Sequence, residues 1–267
     1  MTLRLLVAHS PEERDAARRV EAHVFLQAFG NTPELMEREY GRYEARSRFV
    51  AVIDDESGSA VGTARLIVAA AASPVKTLVD VAGEPWHLPV AESLGAVGLA
   101  PGTVWDVASL AVDPRYRAGS AGAEVSLALC HGIWRYARNC GVPGLVTVLD
   151  DRVHRLVRAM GLPWYPMVGA TSRPYLGSPA STPCVFVVRT AEEEVYAARP
   201  DLAPALDHGQ FRSITVDPAD LLPTRGTLQE APPTDRPERS TPPRRNTAGW
   251  RPATSRRADQ LANRTRP

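Results

Sequence analysis

Lysine is almost missing: Lys76 is the only one in 267 residues, and arginine makes up the rest of the 31 basic side chains. That bias, with abundant Ala, Val and Pro, marks GC-rich coding rather than a function. An excess of one charge sign is also lacking. The 31 basic groups face 30 acidic ones, so the whole chain offers no electrostatic case for nucleic acid or a membrane surface. Cysteine is scarce, and Cys130, Cys140 and Cys184 form no Cys-x-x-Cys pair and no metal-ligand spacing. A disulfide framework and a zinc motif are thereby excluded, no metal is expected, and the thiols read as buried and inert in a reducing cytoplasm. No stretch approaches the ~18 consecutive apolar residues of a membrane span. The apolar run in Met1–His9 is too short for a secretion signal. A cytoplasmic protein is expected.

Hydrophobic residues make up 44% of the chain, enough for a sizeable core. Leu3 to Ala8 reads as a buried strand, and Ser10-Pro11-Glu12-Glu13 supplies an N-cap, a first-turn proline and first-turn acids for a helix to about Ala28. Thr32-Pro33-Glu34 opens a second helix by the same chemistry. Arg48–Ile53 and Ala60–Ala69 flank a polar turn and predict an antiparallel hairpin. Residues 70 to 102 read as a long connection with a short helix near Leu78. Val104–Val112 predicts a strand, and Val125, Leu129, Ile133 and Ala137 mark a helix over Gly122–Asn139. Leu145–Leu149 is a strand, Asp151–Met160 a helix ended by Gly161, and Cys184–Val188 a closing strand. Three segments result: a folded domain over 1–190, a helical appendage over 191–222, and a Pro/Arg-rich tail over 223–267 whose few large apolar residues cannot offset the entropy of ordering. The tail's arginines could meet acidic partners, a carrier protein or nucleic acid among them, although a solvated tail is the commoner outcome and nucleic acid is not expected. No internal repeat is visible.

The sharpest local signal is Val112-Asp113-Pro114-Arg115-Tyr116-Arg117-Ala118-Gly119-Ser120-Ala121-Gly122, set between a strand and a long helix. Small residues let the backbone close around an anion, and free N–H groups at a helix start favour a pyrophosphate there. This segment resembles the acyl-donor loop of the GNAT superfamily through Val112, Pro114, Tyr116, Arg117 and Gly122, with Ala118 and Ser120 in place of two usual glycines. A narrower resemblance is to the acyl-homoserine-lactone autoinducer synthases and the long-chain N-acyl amino acid synthases. It rests on His23-Val24-Phe25, on Gly62-Thr63-Ala64-Arg65-Leu66, on Asp106-Val107-Ala108-Ser109-Leu110-Ala111-Val112 and on Met160-Gly161-Leu162. Glu21 stands where that group has an arginine, Ser109 where it has another, and Val157 where many GNAT enzymes have a tyrosine acid. These departures argue against homoserine-lactone synthesis in particular.

The resemblance implies a fold of the α/β (α+β) class, a mixed, mostly antiparallel central sheet flanked by helices. It also implies an N-acyltransferase that moves an acyl group from acyl-CoA or an acyl carrier protein to a small amine such as an amino acid. A GNAT-like module that binds without turnover is the alternative. Backbone groups of Arg117, Ala118, Gly119, Ser120, Ala121 and Gly122 would then hold the phosphates. The N–H of Leu110 or Val112 would meet the thioester carbonyl and pantetheine amides. Asp106 is the candidate base, or else a structural acid paired with Arg65. Arg65, a charge inside an apolar strand, either holds a substrate carboxylate or pairs with Asp106 or Glu92. Trp164 and Tyr165, after Gly161, are the first candidates for a substrate-binding wall, with Trp86, Trp105 and Trp134 as further aromatics. His154 is a lesser candidate acid.

Overall fold

The computed structural model describes residues 2–70, 73–117 and 119–224. The tail over 225–267 and Ala118 lie outside the described residues. In chain order the elements are β1 (Leu3–Val7), α1 (Pro11–Phe29), α2 (Pro33–Tyr40), β2 (Ser47–Asp54), β3 (Ser59–Ile67), α3 (Lys76–Ala82), α4 (Val90–Gly95) and β4 (Trp105–Val112). They continue as α5 (Gly119–Asn139), β5 (Gly144–Asp150), α6 (Asp151–Ala159), β6 (Tyr165–Pro166), β7 (Arg173–Tyr175), β8 (Ser178–Val187), α7 (Ala191–Ala198), α8 (Ala203–His208) and β9 (Ile214–Val216).

Local chemistry sets the helix starts where the sequence places them. Ser10 Oγ accepts from Glu13 N while the Glu13 carboxylate accepts from Ser10 N, a reciprocal cap, and Thr32 Oγ1 accepts from Leu35 N at the head of α2. Gly30 ends α1 at a φ of 71°, a left-handed turn that suits glycine.

The strands form one sheet in the order β6-β8-β5-β4-β3-β2-β1-β9, with β7 beside β8. Its pairs are antiparallel except β1 with β9 and β4 with β5. Helix α5 packs across β1, β2 and β3, and α1 covers β3 and β4 from its own side. One core cluster joins α5 to the sheet through Leu5, Val50, Leu66, Leu129 and Ile133, and a second gathers Tyr40, Leu78, Leu94 and Val146.

Residues 191–222 are built into the fold rather than appended to it. β9 pairs with β1 through Leu3↔Ile214 and Leu5↔Val216, and α8 packs on α5, where the His131 ring bonds Leu206 O at 2.9 Å. The final strand also starts earlier than its apolar run suggests, because Ser178–Thr182 extends β8 toward the hairpin with β7. Among the described residues no helix is long and apolar enough to cross a membrane.

Candidate active site

The site originates where β4 leaves β5. The two strands pair in parallel at Trp105↔Leu145 and Asp106↔Val146, and no pair follows. On its other edge β4 stays paired with β3 as far as Val112, with a bulge that moves the register between Leu66↔Val107 and Arg65↔Ser109. The N–H of Asp113 still reaches Val61 O of β3, at 2.9 Å. Because successive amides alternate in direction along a strand, the N–H groups of Val112 and Leu110 point away from β3, toward the gap. A cleft of about 920 Å3, including its solvent-open mouth, fills that gap.

Elements from both layers line it. Cys130, Ile133 and Trp134 come from α5, Val153 and Val157 from α6, and Trp164 and Phe186 pack beside them with ring centroids 5.1 Å apart. Phe25 and Phe29 of α1, Tyr40 of α2 and Tyr175 of β7 line the other part. Ser109 and Leu110 form the β4 wall.

The turn into α5 sits at the end of β4. Arg117 is exposed, and its Nε donates to Val112 O at 2.8 Å. Gly119, Ser120 and Ala121 fall in the first turn of α5, where helix amides lack intrahelical acceptors. Gly122 is sterically required: a Cβ there would lie 2.3 Å from Tyr116 O and 2.5 Å from the Arg117 carbonyl carbon. Those neighbours are backbone and cannot rotate aside. Gly122→Ala is therefore expected to displace the turn, cost about 1–3 kcal/mol and weaken binding of an acyl thioester. Urea denaturation and a titration with acyl-CoA check the two effects.

Asp106 does not reach the cleft. It is 0% exposed, its Oδ2 accepts from Thr77 N at 2.7 Å and its Oδ1 from Thr77 Oγ1 at 2.9 Å, so it satisfies a first-turn amide of α3. Burial pushes its pKa up to about 7, against the bonds from Thr77 and the charge of Lys76. A carboxyl raised in this way binds its proton more tightly folded than unfolded. Its contribution to stability thus falls as pH rises from the ordinary carboxylate range to about 7. Asp106→Asn is expected to remove that loss, which approaches ~1.4 kcal/mol per pH unit. Denaturation of both proteins across the window shows it, and parallel pH profiles would refute it.

Arg65 is likewise committed to protein. Nε and Nη2 donate to Glu21 at 3.0 and 2.7 Å, and Nη1 donates to Glu44 at 2.8 Å and to Ser47 Oγ at 3.2 Å. The guanidinium carbon also lies 4.6 Å from the Phe49 ring centroid. The expected partners Asp106 and Glu92 are not among these, and each of the three guanidinium nitrogens already donates to protein. Ser109 joins this network from the cleft wall by donating to Glu21 Oε1.

Of the two aromatics expected to bind substrate, the structure brings Trp164 to the cleft and leaves Tyr165 outside. Tyr165 is 49% exposed and its hydroxyl donates to Glu194 of α7. Tyr165 pairs with Val185 in β6, the edge strand of the sheet, both of whose residues are exposed. His154 contacts Trp164 O at 3.3 Å and Cys184 Sγ at 3.9 Å behind the wall.

Sequence reasoning missed Tyr40 and Tyr175. Tyr175 donates to Asp80, and Lys76 Nζ contacts its hydroxyl at 3.1 Å as well as the Glu39 carboxylate at 2.9 Å. The lone lysine was the available signal, since a buried lysine must have partners. Among the described residues no cluster of three or more His, Cys, Asp or Glu is placed to hold a metal ion.

No family model matches the sequence, and no curated protein matches it. Solved structures do resemble it. FeeM, an N-acyl amino acid synthase from uncultured soil microbes, superposes with a TM-score of 0.54 at 15% identity, over 74% of this chain and 97% of that one. The chain has the GNAT-like fold. Two lower-scoring matches are TofI in complex with an inhibitor and MTA, at TM-score 0.49 and 18% identity over 81% of this chain and 99% of that one, and a mosquito arylalkylamine N-acetyltransferase-like protein, at TM-score 0.49 and 15% identity over 70% and 100%. Within this GNAT-like fold the cleft lies along the open edge of β4, which leads into the turn before α5, and it is the candidate active site.

Proposed function

We propose that the chain is an N-acyltransferase that takes an acyl group from a phosphopantetheine thioester, acyl-CoA or an acyl carrier protein, to the amine of a small molecule such as an amino acid. The observation that carries the reading is the parting of β4 from β5 beyond Asp106, with an apolar cleft in the gap. In it the amides of Leu110 and Val112 are free to pair with pantetheine and the thioester carbonyl. Arg117 and the backbone of Gly119–Gly122 offer positive potential for the phosphates. Trp164 belongs to the wall of the acyl site.

The amine nitrogen bonds to the thioester carbon, the carbon–sulfur bond breaks, and the thiolate leaves and takes a proton from water. The amine's proton passes to Ser109 Oγ while the Ser109 proton passes to Glu21. This assigns the base function to the pair on the cleft wall instead of Asp106. Thiol release measured with acyl-CoA donors against an amine panel tests the proposal. A non-catalytic binding module would show saturable thioester binding with no thiol release above the donor's own hydrolysis.

A further inference from the structure

Ser109 fixes the side of the cleft that receives the amine. Its hydroxyl donates to Glu21 of α1 and so stands on the α1 face of the sheet. Glu21, Phe25 and Phe29 recur at every fourth residue of α1 and therefore share one side of that helix. At ~1.5 Å of rise per residue the two rings follow the carboxylate by about 6 and 12 Å. Both rings line the cleft, with centroids 5.6 Å apart.

Tyr40, Tyr175 and Leu176 complete this chamber. The Tyr40 hydroxyl donates to Ala108 O of β4 at 3.2 Å, and the Tyr40 and Tyr175 ring centroids lie 5.4 and 5.5 Å from the same atom, Lys76 Nζ. The turn after β7 closes on Phe29, where a Cβ on Gly177 would fall 2.3 Å from Phe29 O. Trp164, Val157 and Phe186, on the acyl side, belong to the core cluster under α5, whereas Phe25, Tyr40 and Tyr175 join the other. Neighbouring strand residues divide between the two clusters, Phe186 to one and Val185 to the other, which puts them on opposite faces of the sheet. The amine thus has a chamber of its own, walled by aromatic rings.

Charge in the cleft is of one sign. Among the described residues that line it, the one charged side chain is Asp150, an anion. Arg152 donates to both of its oxygens and is itself 67% exposed. Arg65, the arginine nearest Ser109 in the ion-pair network, is spent on Glu21, Glu44 and Ser47. A carboxylate drawn in among the rings would lose its water and gain no cation, a penalty that an uncharged amine escapes.

We propose that the acceptor of this enzyme is an amine with an aromatic or similarly apolar body and no carboxylate, its nitrogen at Ser109 and its body along Phe25 and Phe29. The inference rests on the acyl-transfer reading of the cleft and narrows its acceptor. Its test compares 2-phenylethylamine with phenylalanine, and tyramine with tyrosine, by thiol release from a series of acyl-CoA donors. Each pair differs by one carboxylate. The decarboxylated member is expected to be favoured about a hundredfold or more in kcat/KM. Phenylalaninamide, which keeps the branch and loses the charge, is expected to behave like 2-phenylethylamine. Phe29→Leu is expected to raise KM for 2-phenylethylamine about two- to tenfold and to leave KM for acyl-CoA unchanged.

Equal or better use of the amino acids overturns the inference and leaves acyl transfer standing, and a preference for them that is lost in Arg152→Gln would assign the carboxylate to Arg152. Refusal of phenylalaninamide together with phenylalanine also overturns it, because bulk and not charge would then discriminate. So does a Phe29→Leu protein in which KM for acyl-CoA moves and that for the amine does not. Absence of thiol release with every donor and amine overturns the acyl-transfer reading and this inference with it.

Discussion

Ser109→Ala is expected to lower kcat for amide formation by about 10²–10⁴-fold, the range removed with a general base, while Asp106→Asn at the same pH lowers it less than about tenfold. The contrast follows from placement. Ser109 stands on the cleft wall beside Leu110 and donates to Glu21, whereas the oxygens of Asp106 are taken up by Thr77 behind that wall. Removing the Ser109 hydroxyl breaks the path from the attacking nitrogen to the Glu21 carboxylate. Glu21→Gln should cost a similar factor, and the double variant little more, because two groups in one relay are not additive. Steady-state kinetics on all four proteins decide it. A large loss in Asp106→Asn with near-normal Ser109→Ala would return the base to Asp106, acting through water.

Arg65→Met is expected to destabilise the fold by about 3–5 kcal/mol, the cost of leaving a buried charge uncompensated. Arg65 is 5% exposed, and its removal strands Glu21, itself 2% exposed, against the sheet. The pKa of Arg65 is raised: burial opposes the charged form, and Glu21 and Glu44 outweigh it. A raised base contributes its stability below its unfolded pKa, so the contribution is present throughout the neutral range and urea midpoints at pH 7 capture it. Glu21→Gln in the Arg65→Met background should recover part of the loss, since the stranded charge is then gone. Arg65→Lys should not restore stability fully, because one ammonium cannot make the forked contacts to Glu21, Glu44 and Ser47. A change within about 0.5 kcal/mol, the size of an ordinary surface substitution, would show that the network is energetically idle.

The pairing of Arg65 illustrates where sequence pattern stops. A charge inside an apolar strand announces a partner, and Arg65 was legible to that extent. Its partners lie 44 and 21 residues earlier in the chain, and neither spacing carries a local signal. Tyr165 errs in the opposite way. It adjoins Trp164, which does face the cleft, yet it stands on the edge strand β6, whose position only the assembled sheet determines.

Elements with a local cause were determined by sequence alone. Ser10, Pro11 and Glu13 set the start of α1, the polar turn after Asp54 set the β2–β3 hairpin, and Gly122 marked the tight entry to α5. Each depends on interactions among chain neighbours, so composition and order suffice. Tertiary structure decided the separation of β4 from β5, the engagement of Asp106 by Thr77 and the ring of charges around Arg65. These depend on which distant segments meet and at what register, quantities that only packing of the whole sheet and its helices determines.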